Sequence, residues 1–258
     1  MLGRLILASA SPRRVSLLAQ IGIVAAEVVA AEIEEAPRPG ERPRALAARL
    51  AKAKAAHVAE HFPDDFVLGA DTVVACGRRV LPKANDEAEA RTCLELISGR
   101  CHRVLGGVSV IAPGGGAHAR LVTTAVRFKR LSAAEVDAYI TSGEWRDKAG
   151  AYAIQGRASA FVTAINGSYS NIVGLPLFET AALLRGLGAT VEPVHFGWSA
   201  AIDRACQDYL DDIFGGWIAS YVDSDPSLAS GWAKYCADAH KRVTSNAVLK
   251  AYEYQDEM

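Results

Sequence analysis

The stretch Leu5–Gly22, LILASASPRRVSLLAQIG, decides the fold, and it is typical of a strand, a tight turn and a helix in that order. Leu5–Ala8 is a short apolar run of the kind that forms a buried strand. Pro12 suits the first position of a helix, and Ser11 before it can act as the N-cap. Apolar residues then recur at helical spacing up to Gly22, which suits the position just past a helix end.

Two arginines, Arg13 and Arg14, fall in the first turn of that predicted helix. The positive end of the helix dipole disfavours cations there by a few tenths of a kcal/mol or more. A bound phosphate would offset this cost, because it accepts hydrogen bonds from free backbone N–H groups and from guanidinium groups. A solvated pair of surface arginines is the alternative, and this stretch alone does not decide between the two.

Composition and charge describe an ordinary globular chain. Its 258 residues are 50% hydrophobic and 22% charged, which is enough for a sizeable core. The net charge of −1 gives no support for a nucleic-acid or membrane partner. Residues 189–258 hold 11 acidic and 5 basic side chains, so the preceding body is mildly basic. A basic body suits an anionic small substrate.

Cysteine usage and hydropathy favour a cytoplasmic protein. The five cysteines are widely spaced and form no CxxC motif or Cys/His cluster, so neither a zinc site nor a disulfide framework is predicted. The apolar run after Arg4 is too short for the core of a signal peptide. No window approaches the ~20 apolar residues that span a bilayer.

Alternating strand-like and helix-like segments predict one α/β or α+β domain with a central sheet over residues 1–188. The main predicted helices cover residues 44–62, 87–96, 131–142 and 177–187. The main predicted strands cover residues 66–75, 104–111 and 119–130, the last two as a hairpin. The strand at 66–75 is expected to be broken at Gly69–Thr72. In the helix at 44–62, Lys52 and Lys54 are expected to interleave with an apolar side that contains Leu46, Leu50, Ala53 and His57.

Residues 189–258 differ in composition from the body, since they hold three of the four tryptophans and five of the eight tyrosines. Their helical spacing predicts a helical C-terminal extension, and Asp225–Pro226 separates two segments of a hairpin. The extension is expected to pack on the body or on a second subunit. A partner-binding module is the alternative.

Carboxylates and cations in the body supply candidate chemistry. Asp71 lies among apolar residues at the expected strand end, where an unpaired ion is expensive to bury. It either caps its own turn, or binds a metal or takes a proton from water. Glu35 is a second carboxylate or half of a solvated surface pair with Glu34. Lys54 and Lys83 are phosphate contacts or ordinary solvated lysines.

The remaining motifs narrow the reaction class. Gln155 lies in a turn and can read a base edge or serve as an ordinary turn residue. The sequence has no Walker motif, dinucleotide-binding fingerprint or G-x-S-x-G elbow. Phosphoryl-group chemistry requires cations to bind the phosphates, carboxylates to bind a divalent metal, and a base to activate water. The candidate residues include all three kinds of group.

Seven motifs in a fixed order carry a resemblance to a known family. They are SASPRR (9–14), EIEEA (32–36), RLAKAKA (49–55), GADTVV (69–74), SGRCHRV (98–104), DKAGAYAIQG (147–156) and INGSYSNIVGLPLFET (165–180). Over roughly residues 4–188 the chain resembles the Maf family of nucleoside triphosphate pyrophosphatases. The form NGSYSNIVGLP resembles the subgroup that acts on dTTP and UTP.

The resemblance implies a two-lobed α/β fold, related to that of inosine-triphosphate pyrophosphatases, with a central mixed sheet and a cleft. It implies hydrolysis of a nucleoside triphosphate to the monophosphate and pyrophosphate with Mg²⁺ or Mn²⁺, a housecleaning activity on the nucleotide pool. A nucleotide-binding regulator of septum formation without essential catalysis is the alternative. A homodimer is possible.

The resemblance also assigns roles to individual residues. Asp71 matches the proton acceptor, and Arg13, Thr72 and Gln155 match positions linked to substrate specificity. The other active-site positions are Ser9, Arg14, Glu35, Lys54 and Lys83. Because carboxylates bind divalent metals, we expect Glu35 and Asp71 to be the metal ligands. For Arg14 a structural role stays open.

Two departures from the family pattern stand out. Pro82 precedes Lys83, the reverse of the usual order, so the lysine loop is open to a different placement. Cys101 stands where threonine is frequent.

Overall fold

A single mixed sheet of seven strands forms the centre of the computed structural model, which describes residues 4–189. The strands are β1 (Leu5–Ala8), β2 (Glu27–Val28), β3 (Phe66–Cys76), β4 (Arg79–Leu81), β5 (Cys101–Ile111), β6 (Ala117–Phe128) and β7 (Val162–Asn166). Their order is β2-β1-β3-β5-β6-β7, with β4 also paired to β3. β1 runs parallel to β2 and β3, and the other pairs are antiparallel. The predicted central mixed sheet is confirmed.

Five of the six helices in residues 4–189 begin and end close to where the sequence predicts them. The helices are α1 (Pro12–Gln20), α2 (Pro43–Ala59), α3 (Glu87–Ile97), α4 (Ala133–Ser142), α5 (Tyr169–Val173) and α6 (Leu177–Gly186), with a 3₁₀ turn at Arg157–Phe161. The short α5 was not predicted. Within the part of the chain that the structure covers, no helix has the length and hydropathy needed to cross a bilayer. The predicted helical hairpin of residues 189–258 lies outside the described residues, apart from Ala189.

The opening stretch forms the predicted strand, turn and helix. Pro12 is the first residue of α1, and Ser11 holds the extended backbone of an N-cap. The Ser11 side chain makes no capping bond; instead, its own N–H donates to Ser9 Oγ at 3.2 Å. Gly22 follows the end of α1 with φ +70°, a conformation that glycine adopts without steric cost.

The strand β3 is continuous, so the predicted break at Gly69–Thr72 is wrong. It pairs with β5 from Val67 to Ala75 without interruption. Gly69 serves a close approach rather than a turn, because a Cβ there would collide with the backbone oxygen of Ala51 and the backbone nitrogen of Ala55 in α2. Asp71 therefore lies in the middle of a strand and not at a strand end.

The other edge of β3 has a gap, and this gap positions the site. β1 pairs with β3 only as far as Gly69, and β4 begins to pair at Val74. Residues 70–73 thus have a strand neighbour in β5 but none in β1 or β4. The side chains of a strand alternate between its two faces, so Asp71 and Thr72 reach the gap from opposite faces.

Lys54 belongs to the buried face of α2, which corrects the predicted helix face. The buried residues of α2 are Leu46, Ala47, Leu50, Ala51, Lys54, Ala55 and Val58. Ala53 and His57, predicted on that side, are only half-buried. The small alanines let α2 lie directly on Gly69 of β3 and Gly107 of β5, and this orientation turns Lys54 towards the sheet.

Candidate functional site

A cavity of about 380 Å³ opens at the gap beside β3. It is lined by every predicted site residue except Ser9, namely Arg13, Arg14, Glu35, Lys54, Asp71, Thr72, Lys83 and Gln155. These side chains come from α1, α2, β3 and the loops around them, which are far apart in sequence. The fold thus collects the predicted residues around one cleft.

A lysine held between two carboxylates forms the base of the cleft. Lys54 Nζ lies 2.7 Å from Asp71 Oδ1 and 2.7 Å from Glu35 Oε1. The side chains of Lys54 and Asp71 are each only 10% exposed, whereas that of Glu35 is 49% exposed. Buried charges of opposite sign offset part of each other's desolvation, so each member of this cluster depends on the others.

The ionised form of Glu35 is favoured in this cluster. Burial alone raises the pKa of its carboxyl, but the hydrogen bond from Lys54 opposes that effect. The charges of Lys54, Lys83 and Arg14 act in the same direction, and the pKa of Glu35 is lowered overall. Two carboxylates consequently converge on a point that already holds a cation.

Arg14 is built into the wall of the cleft. Its guanidinium donates to Gly174 O at 2.9 Å, to Ser9 Oγ at 2.8 Å and to Thr72 Oγ1 at 3.3 Å. Burial lowers the pKa of Arg14, and the charge of Asp71 opposes that shift. Ser9, predicted to contact the substrate, does not line the cavity, because its hydroxyl is occupied behind Arg14.

Arg13 and Arg14 therefore have separate positions although they are adjacent. The Arg13 guanidinium lines the cavity and donates to Asp147 O at 3.4 Å. Burial lowers the pKa of Arg13, and the charge of Asp147 opposes that effect. Arg13 is thus available to an anion in the cleft, while three protein oxygens already engage Arg14.

Lys83 and Gln155 lie exposed at the rim of the cleft. The backbone of Lys83 forms an antiparallel bridge with Ala149, and the N–H of Gly150 donates to Leu81 O and Pro82 O. Pro82 lacks an N–H but keeps its carbonyl. The reversed Pro–Lys order is therefore compatible with a lysine at the cleft.

Sequence reasoning assigned no role to Asp147 and Lys148, which also line the cavity. Asp147 has φ +57°, a left-handed backbone conformation uncommon for residues other than glycine. Both residues fall within the motif DKAGAYAIQG, but a single lysine in a loop carries no spacing signal. Burial lowers the pKa of Lys148, and the charge of Arg13 lowers it further.

The carboxylates fit a divalent cation that also binds phosphate. In residues 4–189, no three His, Cys, Asp or Glu side chains cluster in a way that could hold a metal ion. Mg²⁺ is commonly bound by one or two carboxylates together with substrate phosphates. Glu35 and Asp71 supply such an oxygen pair beside the cations of the cleft.

The fold and the cleft define an α/β protein with a site for a phosphate-bearing ligand. The chain belongs to the Maf-like protein family, whose profile matches residues 4–187.

Curated relatives match most of the chain at high identity. The chain is 63% identical over 184 residues to a dTTP/UTP pyrophosphatase of Paramagnetospirillum magneticum, which covers 71% of this chain and 97% of that relative. It is 59% identical over 184 residues to a dTTP/UTP pyrophosphatase of Caulobacter vibrioides, with coverage of 71% and 95%. More than a quarter of this chain therefore has no counterpart in these two relatives.

Proposed function

We propose that this chain hydrolyses nucleoside triphosphates, dTTP and UTP foremost, to the monophosphate and pyrophosphate. The observation that carries the proposal is the cluster of Lys54 between Asp71 and Glu35, inside a cleft that also holds Arg13 and Lys83. This arrangement suits a metal-bound triphosphate. Relatives that are 59–63% identical are named dTTP/UTP pyrophosphatases, which supports the choice of substrate.

Glu35 and Asp71 would hold the divalent metal, Mg²⁺ or Mn²⁺. When bound, the metal neutralises charge on the triphosphate and makes the phosphorus a better electrophile. Lys54 supplies a fixed positive charge between the same two carboxylates, so it orients them towards one point in the cleft.

Asp71 is the residue best placed to act on water. It is 7% exposed, faces the cleft, and has one oxygen held by Lys54. We infer that Asp71 orients or deprotonates a water molecule for attack at the α-phosphorus. The bond between the α-phosphorus and the bridging oxygen breaks, and the pyrophosphate leaves with its electron pair. Arg13, Lys54 and Lys83 offset the charge that builds on it.

Base selection is assigned to Thr72 and Gln155. Gln155 carries both a donor and an acceptor at the exposed rim, which is what a pyrimidine edge requires. The Thr72 hydroxyl is shared with Gly174 O and Arg14, so its orientation is fixed before a substrate arrives. A site built to hydrogen-bond one base rejects others because its polar groups are then left unpaired.

The experiment that tests this function is incubation of the full chain with each nucleoside triphosphate and Mn²⁺, followed by identification of the products. We expect dTMP and UMP together with pyrophosphate. Release of inorganic phosphate and a diphosphate would contradict the proposed bond cleavage. Tight nucleotide binding without any product would favour the regulator of septum formation. The homodimer and the cytoplasmic location stay predictions.

A further inference from the structure

A short segment of the chain connects two cations of the cleft. This segment, residues 147–150, is the cleft bracket. The carbonyl of Asp147 accepts a hydrogen bond from Arg13, and Ala149 pairs with the backbone of Lys83. Lys148 lies between these two contacts in the chain and also lines the cavity.

The backbone holds the cleft bracket in one place. At one end, Asp147 takes the left-handed conformation with φ +57°. At the other end, Gly150 has φ +72°, and its N–H donates to the carbonyls of Leu81 and Pro82. A Cβ on Gly150 would lie 2.8 Å from Val74 Cγ1 of β3, so the bracket is packed directly on the sheet. These contacts fix the position of the Lys148 backbone, from which its side chain extends.

Arg13, Lys83 and Lys148 form a group of cations that no carboxylate of residues 4–189 holds in a close ion pair, although the charge of Asp147 acts on Arg13 and Lys148 from a longer distance. None of them is within 4.0 Å of a carboxylate oxygen in the portion of the chain described. Lys148 is half-buried, and among the described residues its ammonium donates one hydrogen bond, to the backbone oxygen of Arg146 at 2.9 Å. Like charges gathered in a partly dry cleft repel, and a multivalent anion would relieve that repulsion.

We propose that Lys148 is a third cationic contact for the β- and γ-phosphates, which leave as pyrophosphate, beside Arg13 and Lys83. This proposal rests on the proposed hydrolysis of nucleoside triphosphates and adds a substrate-binding residue to it. The side chain is four carbons long and flexible, so it can exchange its bond to Arg146 O for a phosphate oxygen. A hydrogen bond from the Lys148 ammonium to a charged phosphate oxygen is stronger than its hydrogen bond to the neutral backbone oxygen of Arg146.

The test compares the affinities of the full chain for pyrophosphate and for dTMP by calorimetry. In Lys148→Met we expect pyrophosphate to bind about tenfold more weakly, because one charge-assisted hydrogen bond is lost. The affinity for dTMP should change less than twofold. Lys148→Arg should restore most of the pyrophosphate affinity. Lys52→Met is the matched control, since Lys52 is an exposed lysine of α2 outside the cleft.

Two outcomes would overturn the role of Lys148. One is a pyrophosphate affinity of Lys148→Met equal to that of the parent protein. The other is an equal loss of affinity for pyrophosphate and dTMP, which would indicate a structural effect. Failure of the proposed function has a different signature, namely no monophosphate from any nucleoside triphosphate with the parent protein. The binding comparison can be read whether or not the parent protein turns over.

Discussion

At the scale of single residues, the cluster of Glu35, Lys54 and Asp71 shows how burial turns ordinary side chains into a site. A lysine and an aspartate at 10% exposure are costly to bury alone, and the 2.7 Å contact between them offsets that cost. Glu35 reaches the same ammonium from a more exposed loop. The cluster is thus anchored in the core at Asp71 and open to solvent at Glu35.

We expect Asp71→Asn to keep the fold and to lower the rate of pyrophosphate release by about 10²–10⁴-fold, since a general base contributes that much. The amide has nearly the size of the carboxylate but neither its charge nor its basicity. Steady-state release of pyrophosphate, together with a thermal unfolding curve, measures both parts of this prediction.

Asp137→Asn is the matched control for that variant. Asp137 is a surface carboxylate of α4 paired with Arg91, and its side chain is 60% exposed. Its replacement should leave the rate unchanged. Turnover of Asp71→Asn close to that of the parent protein would contradict the assignment of Asp71.

His102 makes the stability of the protein depend on pH. It is 1% exposed, its Nε2 lies 2.9 Å from the hydroxyl of Tyr152, and burial lowers its pKa to about 4. In the unfolded chain a histidine titrates near 6.5, so the unfolded state binds more protons between these values. Stability from the neutral His102 is complete above pH ~6.5 and is lost as the pH falls towards 4, by about 3 kcal/mol.

Urea unfolding at pH 7 and at pH 4.5 tests this dependence. His102→Gln should lose distinctly less stability between the two pH values than the parent protein. His61→Gln, at an exposed histidine just past α2, should behave like the parent. An unchanged pH dependence in His102→Gln would show that other groups cause it.

At the scale of elements, the contact between α2 and β3 places the cluster of Glu35, Lys54 and Asp71. α2 lies on Gly69 so closely that its backbone occupies the space of a side chain. Gly69 and Asp71 are two residues apart on one strand and therefore share a face. The same close approach thus brings Lys54 of α2 to Asp71. The residues of β3 that pack against α2 beyond the site are Val73 and Ala75, which form a cluster with Leu46 and Leu50.

Gly69→Ala should therefore destabilise the protein by roughly 1–3 kcal/mol, because the added methyl group forces α2 away from the sheet. It should also weaken activity beyond the loss of folded protein, since Lys54 moves with the helix. Gly116→Ala is the matched control: no atom of residues 4–189 lies within 4 Å of its Cβ position, and we expect a change within about 0.5 kcal/mol. Chemical unfolding of both variants measures the difference, and equal stabilities would contradict the close-packing argument.

At the scale of the whole molecule, residues 4–189 form the seven-stranded sheet and line the cleft. The family profile ends at residue 187. We propose that the body is self-sufficient and that residues 189–258 are an addition to it. We expect that catalysis does not need their predicted helical hairpin. This holds whether the hairpin packs on the body, on a second subunit or on another partner.

We expect a chain that ends at Ala189 to fold and to hydrolyse dTTP with the kcat/KM of the full chain. Size-exclusion chromatography of both forms then tests the role of the extension. A smaller oligomer after truncation would indicate packing on a second subunit, whereas an unchanged oligomer would favour a partner-binding module. A folded but inactive truncated chain would contradict a self-sufficient body.

Prediction from the sequence was most successful where the signal is local. The strand, turn and helix of the opening stretch and the helices α3, α4 and α6 are all confirmed. Each depends on residues that are close together in the sequence. The ordered motifs also identified the residues that surround the cleft, because motifs and their order can be read from the sequence without any knowledge of the fold.

Prediction failed where a contact joins distant segments. The Gly69–Thr72 stretch has the composition of a turn, yet pairing with β5 keeps it extended. Lys54 has the polarity of a surface residue, yet a carboxylate 17 positions away draws it into the core. No local signal distinguishes Lys148 from other loop lysines. Long-range contacts override local preference because the free energy gained by burying apolar surface exceeds the free energy that the conformational propensity of a single residue contributes.

The sequence by itself determined the elements, their order and the kinds of side chain available for phosphate chemistry. Only the tertiary structure decided how they are used, because pairing of β3 with β1 and β4 leaves a gap at residues 70–73. Arg13 lines the cleft that opens there, while Arg14 is bound to Ser9, Thr72 and Gly174 in its wall. The two adjacent arginines differ because the guanidinium of Arg14 donates to oxygens in the wall of the cleft, whereas that of Arg13 faces the cavity.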